Sequence, residues 1–273
     1  SLSSALKPRQ SVFDQSQRDT VLDLTNLAQG TVDAKAFFAE NFVTQGMRQL
    51  YEAVFKRLEG LEDDGVFKLT EAMGGGKTHN MIAVGLLAQN PELRKAMDDV
   101  YKTKFKGAAR VISFSGREQP EFGIWGALAE QLGKKEVLKD FYSPLKAPGQ
   151  SQWIKLLKDE PTIILLDELP PYFQQASTIS VGQGNLADVT TQALSSLLVA
   201  IGKEELKHVA LVISDLSGSY QKGSGIIADV FSDFEKETKR VSKEFIPVRQ
   251  NTDELYQILR KRLFEKEPDP KVA

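Results

Sequence analysis

The stretch Lys68-Leu69-Thr70-Glu71-Ala72-Met73-Gly74-Gly75-Gly76-Lys77-Thr78-His79 constrains this chain more than any other. A short apolar run leads into three consecutive glycines, then Lys-Thr, then a helical pattern. That order is what a phosphate-binding loop needs: the glycines let successive backbone N–H groups turn inward onto phosphate oxygens. Lys77 reaches the β- and γ-phosphates of ATP, and the hydroxyl of Thr78 is placed to ligate Mg²⁺. The helix that begins here offers its unpaired N–H groups and positive dipole end to the same phosphates. The candidate nucleotide contacts are therefore Met73, Gly74, Gly75, Gly76, Lys77, Thr78 and His79. One position departs from the G-x-x-x-x-G-K-[ST] spacing, since Glu71 stands where the first glycine is expected.

A second segment, Pro161-Thr162-Ile163-Ile164-Leu165-Leu166-Asp167-Glu168-Leu169-Pro170, follows Lys77 by 90 residues to Asp167. Its run from Thr162 to Leu166 is apolar or β-branched, which predicts a strand buried on both faces of a parallel sheet. Such a strand delivers its last residues to the carboxyl edge, where open α/β sheets bind ligands. Asp167 is then expected beside the phosphate loop, holding Mg²⁺ through water, with Glu168 orienting or polarising the attacking water. A lone Asp-Glu can simply end a core strand at the surface. In combination with the glycine loop, the two segments read as an ATP site.

Composition excludes several other chemistries. The chain has no cysteine, so disulfides, thiolate catalysis and zinc–cysteine sites are out; two histidines, His79 and His208, cannot build a histidine-rich metal centre. A formal net charge of −2 provides no global pull toward nucleic acid or anionic membrane. No apolar run approaches the ~20 residues of a membrane span, and the N-terminus, Ser1 to Ala5, lacks the apolar core of a signal peptide and an initiator Met, as a trimmed end would. A cytoplasmic protein without membrane contact is the simplest expectation. At 273 residues the chain has room for one large α/β domain, with residues 1–30 as an N-terminal arm and 31–273 as a P-loop ATPase domain.

Along the chain, the polar stretch to Gly30 is expected to be irregular apart from one helix near 20–28. Asp33 and Thr44 are placed to cap helices, the second carrying Met47, Leu50, Tyr51, Val54 and Leu58 on one face. Strands are expected at 66–70, 109–115, 162–166, 209–214 and 245–248. Helices are expected after the phosphate loop as far as Asn90-Pro91, and at 122–132, 150–158, 186–201, roughly 218–243 and 252–266. The alternation predicts an α/β fold: a P-loop NTPase three-layer αβα sandwich, AAA+/ASCE-like, with a parallel central sheet and a helical N-terminal arm.

The chain resembles a group of predicted bacterial and archaeal ATPases of the AAA+ superfamily, catalogued as a domain of unknown function. The resemblance is carried by Asp23-Leu24 through Phe37-Phe38, by Val43-Thr44-Gln45-Gly46, by Gly74-Gly75-Gly76-Lys77-Thr78-His79, by Leu165-Leu166-Asp167-Glu168 and by Arg260-Lys261-Arg262-Leu263-Phe264. It runs in order from Asp19 to Phe264, and the Gly-Gly-Gly-Lys-Thr-His string is its most specific part. Glu71-Ala72-Met73 departs from the uncharged turn expected before the glycines. The resemblance implies an N-terminal ATPase portion of a longer protein, often encoded near DNA methyltransferases and helicases in phage-defence clusters. It also implies self-assembly or partner ATPase subunits, with DNA or DNA-modifying proteins as further partners.

The expected fold and the resemblance together suggest roles for other positions. Ser214-Asp215, ending the strand expected beside Asp167, would sense the γ-phosphate, or else simply end a strand. Arg240, at the end of the helix before the last sheet strand, occupies the place of an arginine finger; Lys236, Lys239, Arg240 and Lys243 could instead form one solvated face. His79 is equally explained by packing, and Phe42 either covers the adenine or joins the core. Arg117, at the carboxyl end of a strand, faces either nucleotide or a partner subunit, and a DNA patch at Arg260–Arg262 is offset by Glu265 and Glu267. Three function classes fit these residues: an ATP-hydrolysing AAA+-type remodeller in a DNA-associated, anti-phage complex; a nucleotide-dependent switch or scaffold with slow turnover; and, least in keeping with Asp167-Glu168, a P-loop kinase. A GTPase is disfavoured because no Asn-Lys-x-Asp occurs.

Overall fold

The computed structural model describes residues 7–13, 22–70, 76–97, 103–214, 225–247 and 252–266. In chain order the elements are strand β1 (Lys7–Pro8), helices α1 (Leu24–Ala28), α2 (Ala34–Glu40) and α3 (Gln45–Leu58), β2 (Val66–Leu69), α4 (Lys77–Gln89), α5 (Pro91–Ala96), β3 (Arg110–Ser115), α6 (Gly123–Gln131), α7 (Gln150–Leu157), β4 (Thr162–Asp167) and α8 (Leu169–Ala176). They continue with the hairpin β5 (Ser180–Val181) and β6 (Gly184–Asn185), α9 (Leu186–Ile201), β7 (Val209–Ser214), α10 (Gly225–Val241), β8 (Ser242–Phe245), α11 (Thr252–Leu263) and β9 (Phe264–Lys266). The central sheet has five strands in the order β3-β4-β7-β2-β8, every neighbouring pair parallel.

Two apolar faces turn this sheet into the middle of three layers. Ile163, Leu165, Ala210, Val212, Phe67 and Leu69 point to one side and pack under α1–α4; Ile164, Leu166, Leu211, Ile213, Ile112 and Phe114 point to the other and pack under α6–α10. Every residue of β4 and β7 is buried, as the unbroken apolar runs require of strands covered on both faces. One strand, β7, lies between β2, which feeds the glycine loop, and β4, which ends in Asp167. The architecture is a three-layer αβα sandwich around a parallel central sheet, the fold of a P-loop NTPase.

The described helix of the N-terminal arm is docked on the domain. Leu24 and Leu27 of α1 are buried in the same cluster as α4 and β3. Two arginines tie the loops below the sheet to its frame. Arg57 of α3, 4% exposed, gives its five N–H donors to the carbonyls of Glu62, Asp63, Ile201, Leu206 and Val209, which is what keeps a guanidinium tolerable in the interior. Arg94 of α5 lies over the rings of Phe55 and Phe105 and donates to the carbonyls of Leu87, Ala88, Phe105 and Gly107.

Several boundaries differ from the sequence pattern. The last helix ends at Leu263, because Phe264–Lys266 pairs antiparallel with Lys7–Pro8. The last sheet strand is Ser242–Phe245, not 245–248. It pairs only with β2, so a charged, one-sided sequence suits that edge. The helix expected over 218–243 is described from Gly225 to Val241, and residues 218–224 and 20–21 lie outside the described residues.

Candidate functional site

The phosphate loop sits where β2 hands over to α4. Gly76 is the N-cap of α4 at φ 129°, ψ −21°, a backbone region closed to side-chain-bearing residues, and Lys77 and Thr78 open the helix behind it. Residues 71–75, including Met73, Gly74 and Gly75 of the expected cradle, lie outside the described residues. Asn80, which the sequence reading passed over, fixes the described end of the loop: its backbone N–H and its side-chain Nδ2 both donate to the Gly76 carbonyl, at 2.8 and 2.6 Å. Only its position one turn after Gly76 could have drawn attention to it.

The two motifs meet directly. Asp167, 3% exposed at the carboxyl end of β4, accepts a short hydrogen bond on Oδ2 from the Thr78 hydroxyl. Its other oxygen, Oδ1, accepts the N–H of Glu168 at 3.0 Å. A hydroxyl and a buried carboxylate facing each other form a hard, all-oxygen donor pair, which fits Mg²⁺ shared with phosphate and water better than any softer metal. Among the described residues no group of three or more His, Asp or Glu side chains forms a separate metal cage.

Glu168 has the only positive φ of a non-glycine residue among those described, φ 50° and ψ 39°. Such a conformation costs roughly 1–3 kcal/mol and persists only where neighbours over-determine it. Three of them do. The Glu168 N–H donates to Asp167 Oδ1 and, at 3.1 Å, to the hydroxyl of Ser214 at the end of β7; Pro170 and Pro171 in the first turn of α8 fix the following backbone; and Gly116 packs so closely that a Cβ there would stand 1.8 Å from the Glu168 carbonyl oxygen. The carboxylate itself is held by Arg117, whose Nε and Nη2 reach its two oxygens at 2.5 and 3.0 Å. Sequence reasoning placed Arg117 at the strand end but did not pair it with Glu168.

The remaining candidates fall in three places. Ser214, 2% exposed, touches the Glu168 backbone, while Asp215 lies outside the described residues. His79 stacks on Phe37 of α2, with ring centroids 4.5 Å apart, and burial, aided by the charge of Arg262, pushes its pKa down to about 4, so the ring is neutral at pH 7. Packing accounts for it. Arg240 is exposed at the end of α10, two residues before Ser242, which is level with Val66 at the start of β2. It therefore lies at the amino edge of the sheet, away from the phosphate loop of its own domain.

The segment proposed for the adenine is held by packing. Thr44 caps α3 and donates to the carbonyl of Pro247, Glu254 of α11 accepts the N–H of Gln45 at 2.8 Å, and Phe42 is half-buried. In the basic cluster of α11, Arg9 binds the Lys261 carbonyl at 2.9 Å and Arg260 lies over the Tyr256 ring at 6.0 Å. No helix among the described residues is long and apolar enough to cross a membrane.

Comparison with known proteins places this arrangement in a family. Among solved structures, the crystal structure of a DNA replication initiation factor is similar over 81% of this chain and 51% of that one, at 18% identity and a TM-score of 0.39. The chain thus spans about half the length of that protein. No curated protein matches it. Residues 4–113 and 121–246, most of the chain and both halves of the site, match the family described as DUF499 N-terminal domain. With Lys77-Thr78 and Asp167-Glu168 both inside those matched spans, the chain belongs to the DUF499 family.

Proposed function

We propose that this domain binds ATP with Mg²⁺ and hydrolyses it, as the AAA+-type ATPase of a DNA-associated, anti-phage complex. The observation that carries the reading is the hydrogen bond between Thr78 and Asp167, which joins two motifs 90 residues apart into one all-oxygen corner beside Lys77. When bound there, Mg²⁺ draws charge from the phosphate oxygens as the γ-phosphoryl group transfers. Lys77 neutralises the β- and γ-phosphates, and the α4 N-terminus offers backbone N–H groups to the same oxygens. Glu168 orients a water on the γ-phosphorus and takes its proton as the bond to ADP breaks; Ser214 keeps the Glu168 backbone in register. The DNA-associated and anti-phage setting, like the assembly with partner subunits, is supported by the resemblance of the motifs.

One observation favours a second reading, a nucleotide-dependent switch with slow turnover. The base candidate, Glu168, has both carboxylate oxygens engaged by Arg117. A kinase has the least support, since it leaves the Asp167-Glu168 pair without a role. Measuring ATP turnover of the full-length protein with and without DNA separates the readings. Stimulation by DNA supports the remodeller; tight ATP binding with turnover unchanged by DNA supports the switch; absence of nucleotide binding overturns both.

A further inference from the structure

We propose that Arg117 distinguishes ATP from ADP, exchanging its carboxylate partner Glu168 for the γ-phosphate when ATP binds; the inference rests on the ATP-site reading above. Four observations lead to it. The guanidinium engages Glu168 through two nitrogens, the fork geometry that also suits two phosphate oxygens. Its side chain is 74% exposed and that of Glu168 is 40% exposed, so the pair lies in solvent, where a more highly charged anion can compete for the guanidinium. The backbone carrying Arg117 is fixed: the Gly116 N–H donates to the Asp167 carbonyl at 2.8 Å, and Gly116 is wedged against Glu168. Finally, β3 and β4 run in register to Ser115 and Asp167, placing Arg117 on the carboxyl edge shared by Asp167 and, through it, Thr78 and Lys77.

Charge supplies the driving force. A γ-phosphate adds multiple negative oxygens to that edge, whereas ADP leaves it to Glu168. Drawing the guanidinium off frees the Glu168 carboxylate for water at the moment a hydrolysable phosphate is present, and loss of phosphate restores the pair. Arg117 would then contact the substrate itself in the ATP state, and its pairing with Glu168 would mark the ADP and nucleotide-free states.

The test is calorimetry of ADP and a non-hydrolysable ATP analogue, with Mg²⁺, on the parent, Arg117→Ala, Arg117→Lys, Glu168→Gln and Arg117→Ala/Glu168→Gln. Arg117→Ala is expected to lose about tenfold in affinity for the analogue and little for ADP, with Arg117→Lys in between. Glu168→Gln, which releases the guanidinium, is expected to tighten analogue binding in the parent background but not beside Arg117→Ala. That dependence is a readout that a merely structural Arg117 would not produce. An analogue-to-ADP ratio unchanged in Arg117→Ala, or a tightening by Glu168→Gln that survives the loss of Arg117, overturns the proposal while leaving the ATP site intact. Failure of the parent to bind either nucleotide overturns the ATP-site reading instead.

Discussion

At the scale of single residues, the site separates holding from reacting. On the proposed function, Lys77 would hold by charge on phosphate and Asp167 through the Thr78 hydroxyl it already meets, while Glu168, at positive φ, would be the reacting group. Lys77→Ala is expected to weaken ATP binding by about 10- to 100-fold, the value of a charge-assisted hydrogen bond; calorimetry giving equal affinity in parent and variant would remove the loop from the site. Glu168→Gln keeps shape and should retain binding while turnover falls by about 10²- to 10⁴-fold, whereas Asp167→Ala should weaken the Mg²⁺-dependent part of binding itself. Parental turnover in Glu168→Gln would assign the base elsewhere. The positions of these residues in the fold were legible in the sequence because each depends on a local pattern, a glycine turn before Lys-Thr and an acidic pair after an apolar strand. Arg117 and Asn80 were not read as partners. Arg117 meets Glu168 across 51 residues through strand register, and Asn80 acts through a side-chain bond to Gly76 that no motif records.

At the scale of elements, the strands act as rulers and the turns between them set the chemistry. Gly116→Ala puts a Cβ into the Glu168 carbonyl, so the turn after β3 or Glu168 itself must move. Nucleotide binding through Lys77 should survive while turnover falls by about 10²-fold, the effect of displacing a reacting group by around 1 Å. Steady-state kinetics beside a binding measurement checks this, and unchanged turnover would mean that the turn yields without moving Glu168. Arg57→Met leaves five carbonyls without their donor, and a loss of more than about 3 kcal/mol is expected in urea unfolding. A loss below about 1 kcal/mol would show that water replaces the guanidinium. Elements with strong apolar patterns, such as Leu186–Ile201 and Val209–Ser214, were readable to the residue. Others were hidden for physical reasons. Asn90-Pro91 does stop the helix that follows the phosphate loop, but Pro91 is also the first residue of α5, where its missing N–H is no loss, and that second helix was not read. The hairpin at 180–185 is too short and polar to show alternation, and β9 exists only because residues more than 250 positions earlier pair with it.

At the scale of the whole molecule, the place of Arg240 bears on the proposal that catalysis needs a neighbouring subunit. Parallel pairing places Ser242 beside Val66, so Arg240 lies before the start of β2 while Lys77 follows its end. At least about 10 Å of strand separates the two edges, and the Arg240 side chain is exposed. If Arg240 acts in catalysis, it acts on the phosphate of another subunit, whose outer γ-oxygens are not covered by Lys77 and Mg²⁺. Its planar guanidinium would then supply a transition-state contact that such arginines make worth about 10³- to 10⁵-fold in turnover. Mixing Arg240→Ala subunits with Lys77→Ala subunits tests this directly. Each variant alone is expected to be nearly inactive, whereas mixed assemblies should regain part of the turnover, because an intact Lys77 site can meet an intact Arg240 from its neighbour. Co-assembly is checked by pulling down one tagged variant with the other. A mixture that stays inactive despite co-assembly rules out the contact in trans. Full activity in Arg240→Ala alone makes Arg240 a solvated charge on the same face as Lys236 and Lys239, and leaves Arg117 as the arginine that serves the γ-phosphate.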